Sequence, residues 1–158
     1  GGVTGRPYVR KFHSSEYPIA LATGEICLVV GWSGDIKQAQ ARAAESNNGV
    51  QIGYAIPKQG AQMFFDNLAI PADATNVAEA YELINFLYRP EIAARNSDFL
   101  SYANGNKASQ EFINPRVLSD KTIYPDADMQ ARLFVITARE AATQRIINRL
   151  WTRVKTGR

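Results

Sequence analysis

Three short stretches of this chain each set aromatic rings or a carboxylate into a turn or a strand end: Gly31-Trp32-Ser33-Gly34-Asp35, Met63-Phe64-Phe65-Asp66 and Tyr102-Ala103-Asn104-Gly105-Asn106. Two aspartates near rings suit two chemistries. They can accept charge-assisted hydrogen bonds from a cation, which are roughly twice as strong as neutral ones. They can also serve as the acid and the base or nucleophile of a glycoside hydrolase. The second role needs an acid whose pKa is raised by an apolar site, whereas Asp35 and Asp66 have turn glycines or polar residues beside them. Taken singly, each stretch has a plainer reading. Trp32 can be a packing anchor, Asp35 a helix cap, and Phe64 or Phe65 a core residue of a half-buried strand.

Other catalytic or metal-binding arrangements find little material. There is one histidine, His13, and one cysteine, Cys27. The cysteine lies in the apolar run Ile26-Cys27-Leu28-Val29-Val30, where a free thiol behaves as a small buried hydrophobe. Asp126-Ala127-Asp128 lacks the glycine and distal glutamate of a calcium loop, and reads instead as acid charging the first turn of a helix. No cofactor or metal is expected.

The elements that must position these groups follow from patterning. The 158 residues, 46% hydrophobic and 21% charged, have ordinary globular composition. Ile26 to Gly31 is far too short to span a bilayer, and Gly1-Gly2-Val3-Thr4-Gly5 lacks the pattern of a signal peptide. The glycine-rich opening ten residues read as a boundary. Pro18 to Ala22 form a short helix that Gly24 can stop. Glu25 to Val30 read as a buried strand bounded by glycines. Ile36 to about Ser46 is helical by propensity and ends at Asn47-Asn48-Gly49. Val50 to Ile56 alternates as a second strand, and Met63 to Ile70 reads as a third. Asn76 and Glu79 make a capping box for a helix carrying Val77, Ala80, Tyr81, Ile84, Leu87 and Tyr88. Pro90 opens another helix running to about Phe99, and Pro125 a further one. The last helix spans roughly Arg139 to Val154, with Ile147, Leu150, Trp151 and Val154 on its apolar face. Strands alternating with helices predict an α/β architecture with a mixed or parallel sheet. Three strands are few for so much helix.

Net charge is +3. The late excess, Arg145, Arg149, Arg153, Lys155 and Arg158, places three arginines on one helical face. No aromatic residues interleave with it and no nucleic-acid module surrounds it, so no nucleic-acid partner is expected.

Together the three stretches, in order and spacing, resemble the carboxy-terminal half of the bacterial putrescine- and spermidine-binding proteins. Phe12-His13-Ser14-Ser15, Gly24-Glu25-Ile26-Cys27, Ile56-Pro57-Lys58, Lys107 and Trp151-Thr152-Arg153-Val154-Lys155 agree, so the similarity runs from about Arg10 to the end. The resemblance implies a type II periplasmic binding fold, incomplete here, with ligand held between two lobes. Residues 1–48 would then be part of one lobe, 49–60 the crossover, 61–100 part of the other, and 101–158 loop and helices packing on both. It implies a non-enzymatic, periplasmic polyamine receptor of an ATP-driven importer, with an inner-membrane permease as partner and an amino-terminal half of the fold outside this chain. Alone, the chain should neither enclose its ligand nor fold stably.

By the same resemblance Trp32, Asp35, Phe64, Asp66 and Tyr102 are ligand contacts. The chemistry suits a dication: carboxylates accept from the ammonium groups, and rings hold the methylene stem and attract each cation by about 0.5–2 kcal/mol. Four buried methylenes supply roughly 3 kcal/mol, which is millimolar binding or weaker, so the carboxylates must supply the rest. Putrescine is favoured slightly over spermidine by the Tyr102-Ala103-Asn104-Gly105-Asn106-Lys107 stretch. A receptor of the same fold for a sugar or amino acid stays open, although no arginine adjoins the three stretches to clamp a carboxylate.

Overall fold

The computed structural model describes residues 8–157. Part of the glycine-rich opening and Arg158 therefore lie outside the described residues. The chain folds as α1 (Tyr17–Ala22), α2 (Ser33–Ser46), α3 (Val77–Leu87), α4 (Pro90–Leu100), a 3₁₀ turn (Lys107–Glu111), α5 (Pro115–Leu118), α6 (Ala127–Gln130) and α7 (Ala141–Thr156).

Local chemistry accounts for most helix ends. Pro90 sits in the first turn of α4 and Pro18 in that of α1, where the absent N–H costs nothing. Asn47 closes α2 in the left-handed conformation, which asparagine tolerates better than most residues. Asp126 caps α6 by accepting from the Met129 N–H at 3.0 Å, so of the two acids expected in the first turn only Asp128 lies there, and Pro125, expected to open the helix, precedes the cap. The expected box at α3 does not form: Asn76 is the N-cap, but its side chain makes no capping bond.

The expected sheet is absent among the described residues. Glu25–Val30, Val50–Ile56 and Met63–Ile70 run without regular structure, and the one bridge is parallel, between Gln62 and Phe134. There Met63 N donates to Phe134 O at 2.8 Å and Phe134 N to Ala61 O at 3.1 Å. A strand exists only as a member of a ladder, and among the described residues these segments form none beyond that single bridge. Leu28 and Val30 are 91% and 100% exposed, and Cys27, expected to be buried, is also exposed. The apolar run has the composition of a core strand without the layer that would cover it.

The main core lies between α1 and α2, where Tyr17, Leu21, Ala22, Ile36, Ala39 and Ala43 pack together. Ile26, Val29, Val50, Ile52 and Tyr54 lean on that cluster, so the irregular segments still spend some apolar surface on it. Gln40 donates to Ile52 O at 2.7 Å and Asn48 to Ala22 O at 3.0 Å, fixing the segment after α2. Beside α4, Ala93, Ala94, Ser97, Ser109, Ile113 and Ile123 are buried. The two parts meet where α2 touches α4 and where Lys37 pairs with Asp120 at 2.8 Å. On α7, Ile146, Leu150 and Trp151 are about half exposed, while the arginines at 145, 149 and 153 face solvent. No helix among the described residues is long and apolar enough to cross a membrane.

Candidate functional site

The first turn of α2 carries the Gly31–Asp35 stretch. Trp32 is the N-cap residue and Asp35 lies in the first turn, where a carboxylate is favoured by the helix dipole. Both oxygens of Asp35 are engaged by phenols. Tyr17 Oη donates to Oδ2 at 2.5 Å, and Tyr102 Oη donates to Oδ1 at 3.1 Å. Tyr17 Oη also accepts the Trp32 N–H at 3.0 Å. Burial, with Asp35 alongside, pushes the Tyr17 phenol up to about 12. Burial and the same carboxylate raise Tyr102 further. Both hydroxyls therefore remain donors throughout the physiological range.

The glycines of the stretch have a steric role. A Cβ on Gly31 would lie 2.5 Å from Tyr17 Cε2, and one on Gly34 would lie 2.2 Å from Tyr102 Cε2 and 2.6 Å from the Leu100 carbonyl oxygen. Each glycine makes room for one of the two rings that grip Asp35.

Tyr102 is delivered by a tightly bonded loop after α4, which ends at Ser101 in the left-handed conformation. Asn104 is its centre. Its amide donates to Ser97 Oγ at 2.8 Å, and its carbonyl oxygen accepts from Asn106 N at 2.8 Å and from Ser109 Oγ at 2.9 Å. Asn106 in turn donates to Tyr88 O at 2.7 Å and accepts from Ala108 N at 3.1 Å. This network ties the loop to α4 and the end of α3, so Tyr102 stands on a fixed base.

Phe64 arrives from the segment anchored by the Gln62–Phe134 bridge. Gly60 approaches the Arg132 backbone at a φ of +108°, and Arg132 Nη1 donates to Lys58 O at 2.7 Å. The Phe64 ring meets Trp32 edge-on at 4.7 Å between centroids and Tyr102 at 6.0 Å. Trp32 and Phe64 keep 40% and 39% of their surface exposed, which leaves ring area open to a ligand.

Four of the five sequence-predicted positions thus gather: Trp32, Asp35, Phe64 and Tyr102. Asp66 does not join them. It lies two residues past Phe64, is exposed, and no hydrogen bond or ion pair engages it among the described residues. A hollow of about 300 Å³ beside Asp35 is lined by Ser14, Ser15, Gln38 and Arg42 but by none of the three rings. Sequence reasoning missed Tyr17, which gave no signal because its partners stand 15 and 18 positions away.

Comparison with known proteins identifies the family of the chain. Residues 7–126 match the model for the bacterial extracellular solute-binding protein family. The putrescine-binding periplasmic protein PotF of Escherichia coli (strain K12) is 46% identical over 153 residues, which are 97% of this chain and 41% of that protein. Putrescine-binding periplasmic protein SpuD of Pseudomonas aeruginosa (strain UCBPP-PA14) is 44% identical over 153 residues, 97% of this chain and 42% of the relative. The spermidine/putrescine-binding periplasmic protein of Escherichia coli (strain K12) is 36% identical over 122 residues, 77% of this chain and 33% of its own length. The chain therefore spans about two fifths of the length of the first two relatives. On the family match and these identities, this chain belongs to the bacterial extracellular solute-binding proteins.

Proposed function

We propose that this chain is the carboxy-terminal part of a periplasmic receptor that binds a small aliphatic polycation, putrescine before spermidine, for an ATP-driven importer. The observation that carries the reading is the meeting of the Trp32, Phe64 and Tyr102 rings from distant segments, with Tyr102 hydrogen-bonded to Asp35. The first two relatives above are named as binding proteins for putrescine, which favours this reading over the hydrolase. The inner-membrane permease of the importer is the partner in this reading.

The fold proposed is the two-lobed type II periplasmic binding fold with a mixed sheet. Strands from an amino-terminal half would supply the ladder partners that Glu25–Val30, Val50–Ile56 and Met63–Ile70 need. Residues 1–48 then belong to one lobe, 49–60 cross over, 61–100 belong to the other, and 101–158 pack on both. With that division the Trp32–Phe64 contact bridges the cleft. Trp32, Phe64 and Tyr102 hold the methylene stem. Asp35 takes one ammonium, since each carboxylate oxygen has a lone pair left after its phenol bond. Asp66, outside the cluster here and engaged by no hydrogen bond or ion pair among the described residues, is the acceptor this reading gives to the second.

The test is calorimetric titration of the two-lobed receptor carrying this chain with putrescine, cadaverine, spermidine, agmatine and uncharged 1,4-butanediol. Putrescine should bind and butanediol should not. Asp35→Ala and Asp66→Ala should each weaken putrescine by roughly 100-fold or more, because a desolvated ammonium left unpaired costs about 3–5 kcal/mol. Equal binding of the diol and the diamine would defeat the proposal.

A further inference from the structure

We propose that Tyr17 is a positioning residue for ligand binding: through one hydroxyl it fixes both the carboxylate of Asp35 and the backbone that presents Trp32. The inference rests on the polyamine reading above and deepens it. Tyr17 is 3% exposed and sits in the α1–α2 core, so its ring cannot be a general ligand surface. Its hydroxyl is nevertheless aimed at the site. It donates to Asp35 Oδ2 at 2.5 Å and accepts from Trp32 N at 3.0 Å.

That pairing settles a problem of geometry. Asp35 needs one oxygen turned towards an ammonium, and an aspartate at a helix start has several staggered rotamers. A buried phenol bonded to Oδ2 selects one of them, and Tyr102 on Oδ1 holds the other oxygen in place. The same phenol satisfies the Trp32 N–H, which lies ahead of the first intrahelical bond, and so sets the angle at which the indole leaves the helix. Gly31 completes the device. A Cβ there would lie 3.1 Å from the Tyr17 hydroxyl and 2.5 Å from its ring, so the glycine preserves the seat from which the phenol reaches both groups.

The experiment is a double-mutant cycle on the two-lobed receptor, with Tyr17→Phe, Asp35→Ala and the pair, read by putrescine titration and by the melting temperature without ligand. Tyr17→Phe should weaken putrescine by about 10-fold or more, the worth of one hydrogen bond to a charged group. In the Asp35→Ala background the same change should cost less than about 2-fold, because the group it positions is gone. A purely structural tyrosine would give the same loss in both backgrounds, and that result overturns the proposal. If Tyr17→Phe does not fold, Gly31→Ala keeps the hydroxyl but displaces the ring. It should show the same dependence on Asp35, and equal losses with and without Asp35 overturn the proposal as well. Failure of the parent receptor to bind putrescine would refute the polyamine reading and this inference with it. Normal parent binding that Tyr17→Phe leaves unchanged would refute this inference alone.

Discussion

Gly34→Ala separates local propensity from the packing of the site, because the two predict opposite signs. On propensity alone, alanine in place of a helical glycine should stabilise α2 by up to about 1 kcal/mol. The new methyl would lie 2.6 Å from the Leu100 carbonyl oxygen and 2.2 Å from Tyr102 Cε2. Ordinary contact begins near 3.4 Å, so the first gap must open by 3.4 − 2.6 = 0.8 Å and the second by 3.4 − 2.2 = 1.2 Å. The Tyr102 ring could turn, but Leu100 O is backbone and cannot. The start of α2 and the loop of Tyr102 must therefore separate. Adding 0.8 Å to the 3.1 Å Tyr102–Asp35 bond takes it beyond hydrogen-bonding distance. Overpacking costs about 1–3 kcal/mol, which exceeds the propensity gain. We expect a melting temperature lower by about 2–8 °C and putrescine affinity weakened about 10-fold, measured by thermal unfolding and titration calorimetry on the two-lobed receptor. A raised melting temperature with unchanged affinity would refute the packing argument.

The remaining predictions use other parts of the chain. Burial opposes ionisation of Asp120, yet hydrogen bonds from Lys37 and Thr122 outweigh it and hold the carboxyl down to about 2, below its ordinary 3.8. A depressed folded pKa gives stability that is present above pH 3.8 and lost as pH falls through about 2. With screening at its partly exposed position the effect is about 1 kcal/mol. The gap in urea midpoint between the parent and Asp120→Asn should shrink from pH 5 to pH 2.5, and a constant gap would contradict this. Asn104→Ala strips partners from Ser97, Asn106 and fully buried Ser109; it should cost about 1–3 kcal/mol in chemical denaturation and loosen Tyr102. On this chain alone, the exposed Cys27 should react with a thiol reagent without denaturant. If a sheet of the proposed two-lobed receptor covers its segment, that reaction should slow at least 10-fold there, and equal rates would argue against such a layer.

What was legible in the sequence follows from the range of the forces involved. Pro90 and Asn47 act within a turn, and each marks a helix end where the pattern put it. The meeting of Trp32, Phe64 and Tyr102 spans 70 positions, and only the resemblance to a known family made it readable. The strands failed for a different reason. Apolar alternation at Val50–Ile56 reports what a segment can pair with, and a strand forms only where a neighbour completes the ladder, which none does among the described residues. Tyr17 drew no reading from the sequence, because nothing in its spacing announced that its hydroxyl reaches Asp35. Asp66 stood in a matching stretch, but the structure leaves it outside the cluster.

The central claim is that a ring-lined carboxylate around Trp32 receives a dication, and the fluorescence of that indole reports it directly. The chain has two tryptophans, and Trp151 packs edge-on against Phe12 at 5.2 Å, so Trp151→Phe leaves Trp32 as this chain's reporter. In the two-lobed receptor, with any tryptophan outside this chain replaced by phenylalanine, putrescine should change the Trp32 emission saturably and 1,4-butanediol should not. An emission that ignores putrescine, or that responds equally to the diol, would contradict the account.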